Sequence, residues 1–443
     1  MKGRIQALTV TLSCALLATQ VFAQDKFILH ADPAKVSGIA NQFSLTVLDQ
    51  LPNHNIALVN GPSGLSDSEV VGEVDNDSDV DYFEVAGHSI APETMANLHL
   101  NQSTTAILDN LSGRNQTTYF GVTTVSNYVS QPAVQIINLT TAQATYNATG
   151  AGIVAIIDTG IDPNHPVLAN AIVAGYDFTR NQAGIPNEMN DLDQNTANLL
   201  QSKTNELGKT NVASLNQSTT AILDGNQASA INPANLPAAF GHGTMVAGIV
   251  HLVAPTAKIM PLKAFTADGN ASTYDIIRAI YYATDNGASV INMSFSLVDP
   301  SSEFVRAVNY ATEHGVVCVS STGNNGKETM VYPASMVNVL GVASTDNSDQ
   351  RSTFSNYGSS LVHLAAPGEA IVTTYPGNNY AGAWGTSFSA PFVAGTVALF
   401  EQFEPGLQIH AAADAISHAK TLSLSLGYGR LDVAQAVSEV APH

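Results

Sequence analysis

Three short stretches of the chain carry residue types that together could perform nucleophilic catalysis. Asp158 closes the run Ile153-Val154-Ala155-Ile156-Ile157-Asp158-Thr159-Gly160. His242 sits in Gly241-His242-Gly243-Thr244, and Ser387 in Gly385-Thr386-Ser387-Phe388-Ser389-Ala390-Pro391. A serine hydroxyl becomes an effective nucleophile when a base takes its proton and a carboxylate orients that base. The order Asp, His, Ser is one of those in which such triads occur. Asp158 follows an apolar strand, at the sheet edge where open α/β folds build their sites. Ser387 precedes a helical pattern, whose positive end favours negative charge developing beside it. Glycines next to His242 and Ser387 leave room for a substrate backbone. Asp-Thr-Gly also marks enzymes in which two aspartates share a proton. No second such triplet occurs, which sets that chemistry aside.

The elements that must position these residues are legible as alternating strands and helices. Strands are predicted at 152–157, 257–262, 289–293, 316–320 and 339–343, with helices at 244–251, 273–286 and 302–314. That alternation predicts an α/β domain with a mostly parallel central sheet, its strands continuously apolar because both faces are covered. Residues 24–87 have another character. Four strands (FILH, FSLTVL, NIALVN, DVDYFEV) and two helices (33–42, 66–74) follow the order strand-helix-strand-strand-helix-strand of a small ferredoxin-like α+β unit. The Asn- and Thr-rich stretch 88–127 reads as a linker. The decapeptide LNQSTTAILD occurs twice, at 100–109 and 215–224, too few copies for a repeat array.

Composition narrows the function classes. The chain has 443 residues, with 16 Lys and Arg against 36 Asp and Glu, a formal charge of −20. Such a chain should repel nucleic acid and anionic membranes. Lys2 and Arg4 precede an apolar stretch ending in Val21-Phe22-Ala23, the pattern of a secretory signal peptide over 1–23. No later run approaches the ~20 apolar residues that span a bilayer, so a secreted, extracellular product is expected. Cys14 and Cys318 are the only cysteines, and Cys318 in Val316-Val317-Cys318-Val319 reads as a buried small hydrophobe.

Taken together, DTG after a buried strand, GHGT before a helix and GTSFSAP before a helix resemble the subtilases, from about Tyr128 to Val440. The resemblance implies a three-layer subtilisin-like domain over 128–443 and a serine endopeptidase with Asp158, His242 and Ser387 as its triad. Subtilisin itself has this chain order, so the order belongs to the resemblance and adds nothing separate to it. Ser321-Thr322-Gly323-Asn324-Asn325-Gly326 resembles the oxyanion-hole stretch, with Asn324 as donor and Asn325 as the alternative. Ser294, Phe295 and Ser296 resemble the strand that pairs with substrate, and Ser320, Ser321, Thr322 and Gly323 a wall of its pocket. Residues 24–87 resemble an inhibitory propeptide. The implied partners are protein or peptide substrates and the chain's own propeptide, with the enzyme a monomer.

Departures from the family pattern matter as well. HPDL is His165-Pro166-Val167-Leu168 here, and only His251 and Leu252 stand where many members insert a calcium-binding loop. No cofactor is expected, since calcium needs six to eight oxygen ligands and its usual strong site is lost. Asp191 and Asp193 are the one local cluster that could replace it, against the simpler reading of a solvated acidic turn. The segment 187–239 reads as an insertion near the cleft, and Trp384 is bulky for a place so near the nucleophile. Two other classes, a non-catalytic module of this fold and an adhesive surface protein, are disfavoured by the complete triad and by the single repeated pair.

Overall fold

The computed structural model describes residues 26–90, 115–202, 213–215, 220–223, 236–297 and 300–442. The signal-like segment, the first decapeptide copy and most of the predicted linker lie outside them. The chain divides after Val85 into two compact units.

In the first unit, β1 (Lys26–His30), α1 (Val36–Gln42), β2 (Thr46–Leu51), β3 (Ile56–Asn60), α2 (Asp67–Val74) and β4 (Tyr82–Val85) follow in turn. The sheet order is β2-β3-β1-β4 with every pair antiparallel, the ferredoxin-like arrangement. Phe27 and Phe83 stack at 5.1 Å in its core, with Val36, Ile39, Val70 and Val74 from the two helices packed into the same cluster. Glu69 caps α2 by accepting from the Ser66 backbone N–H at 2.8 Å.

The second unit begins at Ala86 and takes in the described part of the predicted linker. β5 (His88–Ile90) pairs with β14 (Asn270–Ser272), and β6 (Gln116–Tyr119) pairs with β7 (Val122–Val125). Phe120 and Gly121 turn that hairpin, both at positive φ, as a two-residue turn of this kind requires. Polar composition hid these strands, because their stability comes from cross-strand and tertiary partners. The Tyr119 hydroxyl, for example, donates to the Leu252 carbonyl.

The main sheet has the order β10-β9-β13-β8-β15-β16-β17-β18. It comprises β8 (Ile153–Asp158), β9 (Gly175–Asp177), β10 (Gln182–Gly184), β13 (Lys258–Lys263), β15 (Val290–Met293), β16 (Val317–Ser321), β17 (Val339–Thr345) and β18 (Leu364–Pro367). All neighbours are parallel except β10, an antiparallel edge. Alternating residues of β8 point to opposite faces, and all from Val154 to Asp158 are buried, so helices cover both sides.

Two helices are apolar all round and lie wholly in the core, as such helices must. They are α5 (His242–Val253), buried throughout, and α8 (Ala390–Phe403), buried from Ala390 to Glu401. α3 (Leu139–Tyr146) and α4 (Gln194–Ser202) precede them, α6 (Thr273–Asp285) and α7 (Ser302–Glu313) lie between them, and α9 (Ile409–Ser417) and α10 (Val433–Ser438) follow. Gly395 lets α8 approach α5 closely, since a Cβ there would lie 2.6 Å from Val253 Cβ. Cys318 is fully buried in β16, which pushes its thiol up to about 12 and makes it inert.

A second sheet supports the Ser387 turn. β19 (Ile371–Tyr375) and β20 (Asn379–Ala383) form a hairpin running into it, and β11 (Ala213–Leu215) with β12 (Thr220–Leu223) extends the sheet on the β20 side. Ile222 stands opposite Ala381. Leu215 and Thr220–Leu223 of the second decapeptide copy therefore pair with each other, and the latter with the strand that leads to Ser387.

Two histidines are buried here in neutral form. His165 Nε2 meets the Asn379 carbonyl at 3.0 Å, and its Nδ1 accepts from the Val167 N–H. Burial lowers His165 to about 4; burial, and secondarily His165, lowers His251 to about 4. The unfolded chain therefore binds more protons between pH 6.5 and 4. The stability held at neutral pH is complete above about 6.5 and falls as pH drops towards 4, by about 3 kcal/mol per histidine. Urea unfolding of a Ser387→Ala chain from pH 7.5 to 4.5 should show this slope, and His251→Leu should flatten it; equal slopes in the two proteins would refute the assignment.

Candidate active site

Asp158 is the last residue of β8, and His242 the first of α5, 84 residues later. Their side chains meet in the interior, 3% and 4% exposed. His242 Nδ1 lies 2.8 Å from Asp158 Oδ1 and 2.9 Å from Oδ2. An ionised carboxylate only accepts, so this contact places the proton on Nδ1 and makes Nε2 the basic nitrogen. The Thr159 N–H also donates to Asp158 Oδ1 at 2.7 Å, fixing the carboxylate.

α5 is held in place along its length. Thr373 and Thr374 of β19 donate to the Met245 and Thr244 carbonyls, each at 2.7 Å, and the Tyr128 hydroxyl donates to the Gly248 carbonyl at 2.7 Å. Gly248 permits this approach, since a Cβ there would lie 2.2 Å from Thr374 Oγ1.

Ser387 lies in the 3₁₀ turn Thr386–Phe388 that opens α8, and Phe388 places its ring 5.4 Å from the His242 ring. The turn is stitched to the end of β15: Ser294 Oγ donates to the Ser387 carbonyl at 2.9 Å, and Ser387 Oγ donates to the Ser294 carbonyl at 3.2 Å. Asn292 Nδ2 supports Ser294 Oγ at 2.9 Å. Asn324 reaches the same turn from the end of β16. Its Oδ1 accepts from the Thr386 N–H and hydroxyl, both at 2.9 Å. A backbone N–H can only donate, so the amide is oriented with Nδ2 as its donor end. Asn325 is exposed, and its backbone N–H donates to Asn356 Oδ1. The geometry therefore favours Asn324 over Asn325 as a donor beside the nucleophile.

The proposed substrate-contacting residues divide. Phe295 is buried against Phe265 at 5.2 Å, and the side chains of Ser320, Ser321 and Thr322 are fully buried. Any contact these residues make with substrate falls to their backbone. Gly323, at φ +87°, donates from its N–H to Thr386 Oγ1. Ser296 is partly buried. Trp384 is 2% exposed and packs inward, so it does not fill the cleft.

A family model described as the subtilase family matches residues 150–432, which include Asp158, His242, Asn324 and Ser387. The chain belongs to the subtilase family. It is 34% identical over 290 residues to the thermophilic serine proteinase of Bacillus sp. strain AK1, covering 64% of this chain and 61% of that one. It is 34% identical over 295 residues to thermitase from Thermoactinomyces vulgaris, 63% of this chain and 87% of thermitase. Its fold is similar to that of fervidolysin from Fervidobacterium pennivorans, with a TM-score of 0.69 and 21% identity over 95% of this chain and 62% of that one.

In this subtilase the residues around the family's usual calcium position are apolar or helical. Val167 belongs to the main apolar core, and α5 runs straight through His251 and Leu252 with no intervening loop. Asp191 fits neither a metal pair nor a solvated turn. It is half-buried with its side chain 7% exposed, its Oδ2 accepting from Lys263 Nζ at 3.0 Å and its Oδ1 from Arg180. Asp193 caps α4, accepting from the Thr196 N–H and hydroxyl. Among the described residues, no three His, Cys, Asp or Glu side chains gather as a metal-ligand set.

One further residue enters the site without any sequence signal. Glu188, completely buried in the 3₁₀ turn Glu188–Asp191, reaches both Thr159 and Thr244. A buried carboxylate in a polar turn has no periodicity or motif to announce it.

The approach of the Asp158 loop to the His242 helix is backbone on backbone. A Cβ on Gly243 would lie 2.1 Å from the Gly160 carbonyl oxygen, so a side chain must push the two apart. Gly243→Ala should lower kcat/KM on a peptide substrate by about 10²-fold, the scale of an ångström misplacement, and lower the melting temperature. Wild-type kinetics in that variant would show that the close approach is dispensable.

Proposed function

We propose that this chain is a secreted serine endopeptidase made as a self-processing proenzyme. The observation that carries the reading is the Asp158 carboxylate holding His242 Nδ1, with the imidazole packed beside the turn that presents Ser387. Ser387 Oγ leaves the Ser294 carbonyl and attacks the scissile carbonyl, while His242 Nε2 takes its proton. Asp158 stabilises the resulting imidazolium without taking the proton. Negative charge on the carbonyl oxygen is met by Asn324 Nδ2 and the Ser387 backbone N–H. His242 then gives its proton to the leaving amine, and water hydrolyses the acyl-enzyme by the reverse sequence.

Secretion is supported by the basic-then-apolar N-terminus, and no helix among the described residues is long and apolar enough to cross a membrane. The ferredoxin-like unit before the catalytic region supports the proenzyme reading, and we assign it as the chain's own inhibitory partner. Acting as a monomer on protein or peptide substrates, the enzyme needs no nucleic acid, which its charge of −20 disfavours. It needs no calcium at the family's usual position, where Val167 offers no oxygen.

Ser387→Ala should abolish casein digestion and fluorophosphonate labelling, with a loss of about 10⁶ in kcat, the value known from subtilisin rather than one derived from this geometry. Asn324→Ala should cost about 10²–10³ in kcat, a scale likewise taken from subtilisin, with little change in KM. N-terminal sequencing should find residues near 24 on the Ser387→Ala protein and a start roughly 100 residues later on the active one; surviving digestion or identical N-termini would refute the respective assignment. EDTA and millimolar calcium should give nearly equal melting temperatures for the Ser387→Ala protein, since a tight native-state ligand would raise them strongly.

A further inference from the structure

Glu188 is completely buried, yet both its oxygens are satisfied by donors that flank the catalytic pair. Oε1 accepts from the Thr159 hydroxyl and, at 3.2 Å, from the Gly241 N–H. Oε2 accepts from the Thr244 hydroxyl and, at 3.2 Å, from the Thr244 N–H. Thr159 follows Asp158, while Gly241 and Thr244 bracket His242. The two hydroxyls are themselves oriented, because Thr159 Oγ1 accepts from the Gly243 N–H at 3.0 Å and Thr244 Oγ1 from the Asp162 N–H at 2.8 Å. The Thr244 hydroxyl therefore turns its single proton towards the carboxylate, and the Thr159 proton faces Glu188 Oε1, with Asp158 Oδ1 the longer alternative at 3.2 Å.

We propose that Glu188 is a positioning residue for the Asp158–His242 pair, clamping the loop after β8 to the first turn of α5 and placing a second buried negative charge beside the imidazole that must become cationic. This rests on the proposed peptidase mechanism. Four donors and no acceptor surround the group, and two of the donors are N–H groups at a helix N-terminus, an arrangement that favours an anion. Burial, with Asp158 pushing the same way, holds the carboxyl above its ordinary range, while the hydrogen bonds from Thr159 and Thr244 and the Lys263 charge oppose it. The other charged or titratable groups facing this cluster are Asp158, His242, Asp162, Tyr375 and Asp191. Lys263 is shared with Asp191 and with the Thr159 and Phe265 carbonyls, so it neutralises Glu188 only in part.

The sign of the pH effect follows. Removing a buried negative charge makes imidazolium less favourable, so the acid limb of kcat/KM should move to lower pH. A clamp that only held the fold would change stability and leave that limb in place.

The test uses the full chain with Glu188→Gln and Glu188→Asp, scored for melting temperature, kcat, KM and pH profile on a chromogenic peptide. In the Gln variant kcat should fall about 10- to 100-fold with KM nearly unchanged, and the acid limb should move down. The Asp variant keeps the charge, so it should lose part of kcat but retain the wild-type limb. The His242 ring, followed by NMR in Ser387→Ala chains with and without Glu188→Gln, should titrate at lower pH in the double variant. A folded Gln variant with wild-type kcat and an unmoved limb overturns the proposal. If the Gln variant does not fold, an Asp variant whose acid limb moves as though the charge were lost overturns it instead. If the wild type shows no Ser387-dependent turnover, the peptidase reading fails separately, and an unchanged His242 titration between the two Ser387→Ala chains then overturns the role of Glu188 on its own.

Discussion

A carboxylate and an imidazole meeting out of water is the contact on which the second unit turns. Burial of either alone would be heavily penalised, and the mutual hydrogen bond between Asp158 and His242, with its surrounding N–H donors, offsets that penalty. The contact can form only if the end of β8 and the start of α5 come together at backbone distance. Gly243 permits this, since a Cβ there would lie 2.1 Å from the Gly160 carbonyl oxygen. The same closeness excludes water, so the imidazole is oriented by protein dipoles rather than by solvent.

The remaining architecture keeps that contact from relaxing. α5 and α8 are largely apolar, so neither can lie at the surface, and they carry His242 and Ser387 at or beside their N-termini from within the core. Thr373 and Thr374 pin α5 from the side, while β20 runs straight into the turn that carries Ser387. Ser294 and Asn324 hold that turn from two parallel strands, β15 and β16. Ser387 and His242 thus stand at the starts of core helices, and Asn324 in the loop that follows β16 is tied to the Ser387 turn.

The long segment between Asp158 and His242 is more than a surface insertion. Its first turn contributes Glu188 to the core of the site and Asp191 to a buried ion pair with Lys263. Its later part adds a hairpin to the sheet that supports Ser387. A chain with few charges places several of them inside, among them Asp158, Glu188 and Lys263, each held by specific hydrogen-bond partners.

Much of this was readable along the chain, because the signals are local. The apolar strand before Asp158 and the all-apolar helices after His242 and Ser387 declare their burial within a dozen residues, and the motifs sit at their ends. The ferredoxin-like order of the first unit was legible for the same reason, since its strands and helices alternate at short range. What stayed hidden depends on partners far apart in sequence. What orients Asn324 and not Asn325 toward the Ser387 turn is Thr386, 62 residues away. Trp384 and Phe295 suggested a cleft, yet packing turned both inward. The strands at 88–90, 116–119 and 122–125 lay in a stretch too polar to announce them, because pairing partners and not their own composition stabilise them. Glu188 is the extreme case, a polar residue in a polar turn whose burial and four donors exist only once β8 and α5 have closed around it. Local pattern determined which elements would form and which residues would stand at their ends; long-range closure decided which side chains face one another, because hydrogen bonding and burial are settled in space and not along the chain.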